Sequence, residues 1–333
     1  FGDPSLTLRT ANPTAINVTH MPTLFLGSTE FTVNADAEDA IVSLTIDGEI
    51  LGTSYINNGS ATVQFPTVTN PGMMTVAVFG FNRVVYLQDV EVIPASGPYL
   101  VYNSSIIDDA IGGNGDGQID FGESVVMGVE LKNIGIEEAT NLVVNLNTTS
   151  TYITITDGVE NYGNISPEQL LMIEDAFAFT VADNVPNNTA LQFELQITDG
   201  QETWTSAFNK TAYAPEFTIG NMVIWDPTGN SNGQVDPGET VNVKIPTTNS
   251  GNSLATDLEA VLACISPYVT VDVGNATIAS LEPGQTLDAV FTISVDENTP
   301  IGTPISLEFE INSGAYSGYK TFITQVGLIF EDF

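Results

Sequence analysis

Two short acidic segments hold the residues whose types and spacing suit a hard cation. In Asp109–Glu123 (DAIGGNGDGQIDFGE), the residues Asn114, Asp116, Gln118, Asp120 and Glu123 recur at short intervals around Gly117. Oxygens spaced in this way converge on one ion, glycine permits the sharp bend, and a carboxylate closing the loop binds through both of its oxygens. That donor set is the one calcium prefers. With Glu123 as the last position of a calcium loop, the first falls on Gly112, which has no side-chain donor, and Asp109 stands ready to replace it if the chain coils back. A second segment repeats the pattern at Asn230, Asn232, Gln234, Asp236 and Glu239, with Asp226 in the place of Asp109 and Thr228 at the first position. Having fewer carboxylates, it is expected to bind more weakly. The competing reading makes both segments Gly- and Asn-rich turns whose side chains bond to nearby amides. Strand patterns flank each segment, so an ion there would stiffen the fold and not switch it.

Other chemistries find little support. The only cysteine, Cys264, lies in an apolar strand pattern (VLACI) without a basic neighbour, which predicts a small buried hydrophobe. The only histidine, His20, is far from it in sequence and reads as a surface or capping residue, so no nucleophile and base pair can be assembled. Trp204, Trp225, Tyr99, Tyr102, Tyr316 and Tyr319 would make a binding surface if exposed together, but sandwich cores use the same residues. Asp and Glu number 41 against 6 Lys and Arg, a formal net charge of −35. Such a field repels polyphosphate, so nucleic acid is not an expected partner. No stretch has the roughly 20 apolar residues of a membrane-spanning helix, and no membrane insertion is expected.

The elements that must position these loops are short and alternating. Phe31–Ala35 (FTVNA), Ile41–Ile46 (IVSLTI) and Met74–Phe79 (MTVAVF) read as half-buried strands, separated by Asp47-Gly48, Asn57-Asn58-Gly59 and Asn70-Pro71-Gly72 turns. An internal repeat follows. Pro98–Asp109 lines up with Pro215–Asp226; Asp120–Glu123 (DFGE) with Asp236–Glu239 (DPGE); and Asn133-Ile134-Gly135 with Asn249-Ser250-Gly251, after a one-residue deletion. The fold class is therefore all-β, with three tandem immunoglobulin-like antiparallel β-sandwich modules spanning 1–95, 96–212 and 213–333. Short linkers at 95–98 (ASGP) and 212–215 (AYAP) predict a stiff row of modules.

Gly2–Leu6 (GDPSL) resembles the segment that closes the catalytic domain in gingipain-type cysteine peptidases. The runs 41–52 (IVSLTIDGEILG), 59–65 (GSATVQF) and 75–92 (TVAVFGFNRVVYLQDVEV) are similar to the immunoglobulin-like domain that follows it. Modules two and three resemble sandwich repeats of secreted bacterial peptidases and adhesins. The resemblance implies a non-catalytic accessory region that stabilises a catalytic domain upstream in the same polypeptide. It also implies an extracellular or outer-membrane-surface location on a bacterium. The alternative implied by the later modules is an adhesin that binds extracellular protein or glycan.

Overall fold

A computed structural model describes residues 12–327, so the Gly2–Leu6 segment and residues 328–333 lie outside the described residues. Every regular element among the described residues is a strand. Alternation sets the two faces: Thr189–Thr198 (TALQFELQIT) buries Leu191, Phe193, Leu195 and Ile197 and leaves Gln192, Glu194 and Gln196 outside.

The strands group around three separate apolar cores. In the first, a sheet of Val18–His20, Glu30–Ala35 and Ser60–Gln64 faces a sheet ordered Thr23–Phe25, Tyr86–Ile93, Gly72–Phe79, Ile41–Ile46 and Glu49–Tyr55. The second core is clamped between two sheets. One is ordered Ile119–Asp120, Thr203–Tyr213, Thr189–Thr198, Ala139–Thr148 and Val159–Ile165; the other is Ile153–Asp157, Leu170–Val181, Ser124–Asn133 and Leu100–Asp108. The third repeats this plan, with Asn275–Leu281, Ala255–Cys264, Pro304–Ser313 and Tyr316–Gln325 facing a sheet centred on Thr240–Asn249 and Thr286–Val295. Among the described residues the strands pair antiparallel apart from two short parallel ladders, Thr23–Phe25 on Glu91–Ile93 and Ile119–Asp120 on Ala212–Tyr213, and Thr14 makes an isolated parallel bridge to Arg83. Both ladders tie an isolated short segment to the last strand of its module.

That second ladder changes the reading of the 212–215 linker. Ala212 and Tyr213 are the end of a strand, and Ala214 and Pro215 are buried. Only Ala95 and Ser96 of the first linker are exposed. A buried asparagine fastens each linker. Asn133 Oδ1 accepts the amides of Tyr99 and Gly135, while its Nδ2 donates to Glu137 and Ile165 carbonyls. Asn249 does the same for Glu216, Gly251, Ser253 and Leu281. A side chain at Gly251 would stand 2.3 Å from the Ala214 carbonyl oxygen, and one at Gly135 would stand 2.5 Å from that of Gly97. The Asn-x-Gly signature is therefore a linker clasp.

Candidate metal centre

The two acidic loops fold on one hydrogen-bond plan. Each begins at the end of a strand with a buried aspartate, Asp109 or Asp226, both about 97% covered. Asp109 accepts the amides of Gly115 (2.7 Å), Asp116 (3.2 Å) and Gly117 (3.0 Å). Asp226 accepts those of Asn232 and Gly233 at 3.1 Å each. At the far end, Glu123 Oε1 takes the Asn114 amide at 2.9 Å and Oε2 the Asp120 amide at 3.0 Å. Glu239 Oε1 takes the Asn230 amide at 3.0 Å. Between them Asn114 Nδ2 donates to Asp120 Oδ2 at 2.8 Å, and Asn230 Nδ2 to Asp236 Oδ2 at 2.7 Å. Asp116 and Asn232 turn on themselves, each accepting the amide of Gln118 or Gln234. The chain coils back here, bringing Asp109, Asp120 and Glu123 to one side. Asn114, Asp116 and Gln118 are on the solvent side.

Two carboxylate oxygens stand apart from this network. Asp120 Oδ1 and Glu239 Oε2 are both shielded from water and have no hydrogen-bond partner. The Ser253 hydroxyl of module three lies beside the Asp120 carboxyl and draws its pKa down in part, without the geometry that would satisfy Oδ1. Burial dominates, and with the Glu123 and Asp116 charges it pushes Asp120 up to about 6. Burial raises Glu123 as well, against the pull of the Asp120 and Asn114 amides. At Asp109 burial works upward too, but the amides of Gly117, Gly115 and Asp116 prevail and hold it below the ordinary range. Among the described residues no three His, Cys, Asp or Glu side chains are arranged to hold a metal ion as they stand. The donors of each loop are gathered, but amide groups bridge them.

Several contributors were absent from the sequence reading. A side chain at Gly113 would meet the Glu123 carboxylate at 2.5 Å, and one at Gly229 would meet Glu239 at 2.6 Å, so each closing glutamate needs a glycine opposite. Their signal was the Gly immediately before Asn114 and Asn230. Asp183, near Gly122, and Ser253 come from distant loops and left no local trace.

The remaining candidates fall to structural roles. His20 Nε2 meets the Tyr86 hydroxyl at 3.0 Å and its ring lies 5.6 Å from that of Phe31. Cys264 is half-buried, less covered than expected, because it ends its strand; burial pushes its thiol up. Trp204 is in the core and Tyr102 stacks on Phe208 at 4.2 Å. Trp225 and Tyr319 are exposed, but Lys244 Nζ sits 4.5 Å from the Trp225 ring centroid.

Module one has a different distinction. On the outer face of its five-stranded sheet, Tyr55, Ile41 and Phe79 stand in one row across three strands, and Leu87 stands opposite Ala77 in the next. Tyr55 is 64% exposed and Leu87 65%, with Ile50 and Met73 exposed on the same face. Ser43, Thr45, Thr75 and Asp89 share this face, so the exposed apolar side chains form a patch at the Tyr55–Ile41–Phe79 and Leu87 end, with Ile50 and Met73 set apart from it. Residues 19–93 match the model of the C-terminal immunoglobulin-like domain of peptidase family C25. The first module is thus similar to the immunoglobulin-like domain of gingipain-type peptidases. Over 99 residues the chain is 31% identical to gingipain R1 of Porphyromonas gingivalis, a match covering 30% of this chain and 10% of that protein. Gingipain R2 of the same species is 34% identical over 93 residues, covering 28% and 13%. The crystal structure of the Arg-specific cysteine proteinase gingipain R matches at 34% identity over 28% of this chain and 22% of that one, with a TM-score of 0.27. The matched stretch is thus a small share of those relatives and leaves out modules two and three.

Proposed function

We propose that this chain is the non-catalytic accessory region of a secreted, gingipain-like cysteine peptidase. Its first module holds the catalytic domain, and modules two and three space that domain from the bacterial surface. The observation that carries this reading is the apolar patch on the outer face of module one, in the module similar to the domain that follows catalysis in that family. Covering a Leu or Phe side chain contributes about 1.5–3 kcal/mol, so this face would bind a neighbouring domain firmly. Calcium at Asp109, Asn114, Asp116, Gln118, Asp120 and Glu123, and at Asp226, Asn230, Asn232, Gln234, Asp236 and Glu239, would stiffen the spacer. The orphaned oxygens of Asp120 and Glu239 support that part, since a buried unpaired carboxylate oxygen invites a cation. Asp109 keeps room for one as well, because a carboxylate has about four acceptor sites and three are in use. An adhesin role would draw on exposed aromatic rings; in modules two and three Trp225 and Tyr319 are exposed, and Lys244 lies over the Trp225 ring.

The test is made in the parent peptidase, with Phe79→Asp and Leu87→Asp together. The expected result is a catalytic domain that melts roughly 2–8 °C lower and separates from the accessory region after cleavage between them. An unchanged melt with continued co-elution would overturn the docking role.

A further inference from the structure

Asp120 belongs to the module-two loop but sits where module three begins. It is 3% exposed, and its segment pairs with Ala212–Tyr213, the last residues before the buried linker. The Phe121 amide donates to the Tyr213 carbonyl at 3.0 Å, so the loop is bonded directly to the linker. Across the junction the Phe121 ring meets Tyr316 edge-on with centroids 5.0 Å apart, and the Tyr316 hydroxyl donates to the Val185 carbonyl at 2.8 Å. Asn187 and Asn188 donate to Asn252 Oδ1, and the Asn252 amide donates to the Ala214 carbonyl at 3.2 Å. Ser253, next in the chain, is the residue beside the Asp120 carboxyl. The charges of Asp183 and Asp120 reach Tyr316, and those of Glu123 and Asp116 reach Asp120. A polar junction is thus built around one buried carboxylate that has an unpaired oxygen and acidic neighbours.

We propose that the module-two loop is an inter-module clamp: a calcium ion taken by Asp120 through its free Oδ1 fixes module three, through Ser253 and the Phe121–Tyr316 contact, against module two. This rests on the calcium reading of the loop given above. Without the ion, like charges crowd Asp120 and its orphaned oxygen gains by rehydration, which opens the junction. With it, the repulsion is neutralised and both modules move as one body. Among the described residues, no contact of this kind is made by the equivalent loop of module three.

The experiment combines calorimetric calcium titration of the full chain with hydrogen exchange in EDTA and in calcium, using magnesium as the control. Calcium is expected to slow exchange on the order of tenfold in the module-three segment 250–254 as well as in the loop 113–123. Asp120→Asn should remove the effect at 250–254, and Asp236→Asn should leave it intact. Heat of calcium binding with protection confined to 113–123 would overturn the clamp and leave the calcium reading standing. Absence of calcium binding to the module-two loop would overturn both. Should Asp120→Asn unfold module two, Ser253→Ala supplies the same comparison from the module-three side.

Discussion

The loops at Asp109–Glu123 and Asp226–Glu239 share a hydrogen-bond plan and differ in what surrounds them. Phe121 donates its amide to Tyr213 and so completes a short parallel ladder; at the same place Pro237 has no amide hydrogen. In module three, among the described residues, the Gly327 amide donates to the Val235 carbonyl at 2.8 Å. In module two the Asp120–Phe121 end of the loop meets the next module, and the free oxygen is on Asp120. In module three the free oxygen is on Glu239 at the other end of the loop. The repeat has therefore kept the turn, while Pro237 cannot make the amide bond that Phe121 gives Tyr213. Inheritance preserves a loop through its internal bonds, and its neighbours decide what else it can do.

The largest expected difference comes from the opening aspartates. Asp109 accepts three amides and Asp226 two. Hydrogen bonds to a charged acceptor contribute about 1.5–3 kcal/mol each when buried, and less here because water reaches the exposed glycines once the carboxylate is gone. Asp109→Ala should cost module two about 2–3 kcal/mol, and Asp226→Ala should cost module three about 1–2 kcal/mol. The two tryptophans lie one in each module, so urea unfolding can be followed separately at Trp204 and Trp225 after changing the other to Phe. Equal losses would break the asymmetry.

A smaller effect separates the loops by charge. Asp116 stands where module three has Asn232, and each accepts an amide two residues on. Calcium affinity rises with the number of charged ligands. Asp116→Asn should weaken binding to module two by several-fold, and Asn232→Asp should strengthen it in module three. Calorimetric titration of both variants checks the pair. If exchanging the residues leaves both affinities in place, the difference between the loops lies in their surroundings.

The alternation of strands such as Thr189–Thr198 made the all-β fold legible, and the repeat of DFGE as DPGE made the two loops legible as copies. Within the loop, the spacing of Asn114, Asp116, Asp120 and Glu123 suggested oxygens converging on one point, whereas Asp120 and Glu123 are buried and Asn114 and Asp116 face solvent. It did not predict that Asn114 would link the buried pair, donating its backbone amide to Glu123 and its side-chain Nδ2 to Asp120, because an asparagine side chain presents a donor as readily as an acceptor. Ser253 and Asp183 were invisible, since their closeness to Asp120 and Tyr316 depends on how two modules meet, and no local pattern encodes that. The linker clasp was half legible. The recurrence of Asn133-Ile134-Gly135 as Asn249-Ser250-Gly251 is plain in the repeat, but its purpose depends on the buried amide of Asn133 or Asn249 reaching four backbone groups at once.

The smallest expected effect concerns the rim of the same sheets. Thr148 ends its strand beside Phe193, and its hydroxyl donates to the Gln192 carbonyl at 2.6 Å. Cys264 ends the corresponding strand of module three beside Leu307. Burial pushes its thiol above the ordinary range, so at a given pH the folded chain holds less thiolate than the unfolded one. The sign follows for both rate and stability. Alkylation of this single thiol should be slower in the folded chain at pH 8 than in urea, with its pH profile displaced upward. The associated stability is complete below the unfolded thiol's pKa and is lost as the pH rises through the folded one. Iodoacetamide rates from pH 7 to 10, with Cys264→Thr as the blank, measure the displacement. A folded profile shifted downward would mean that a cation near Cys264 stabilises the thiolate, and module three would then hold a reactive cysteine where module two has a hydrogen-bonded threonine.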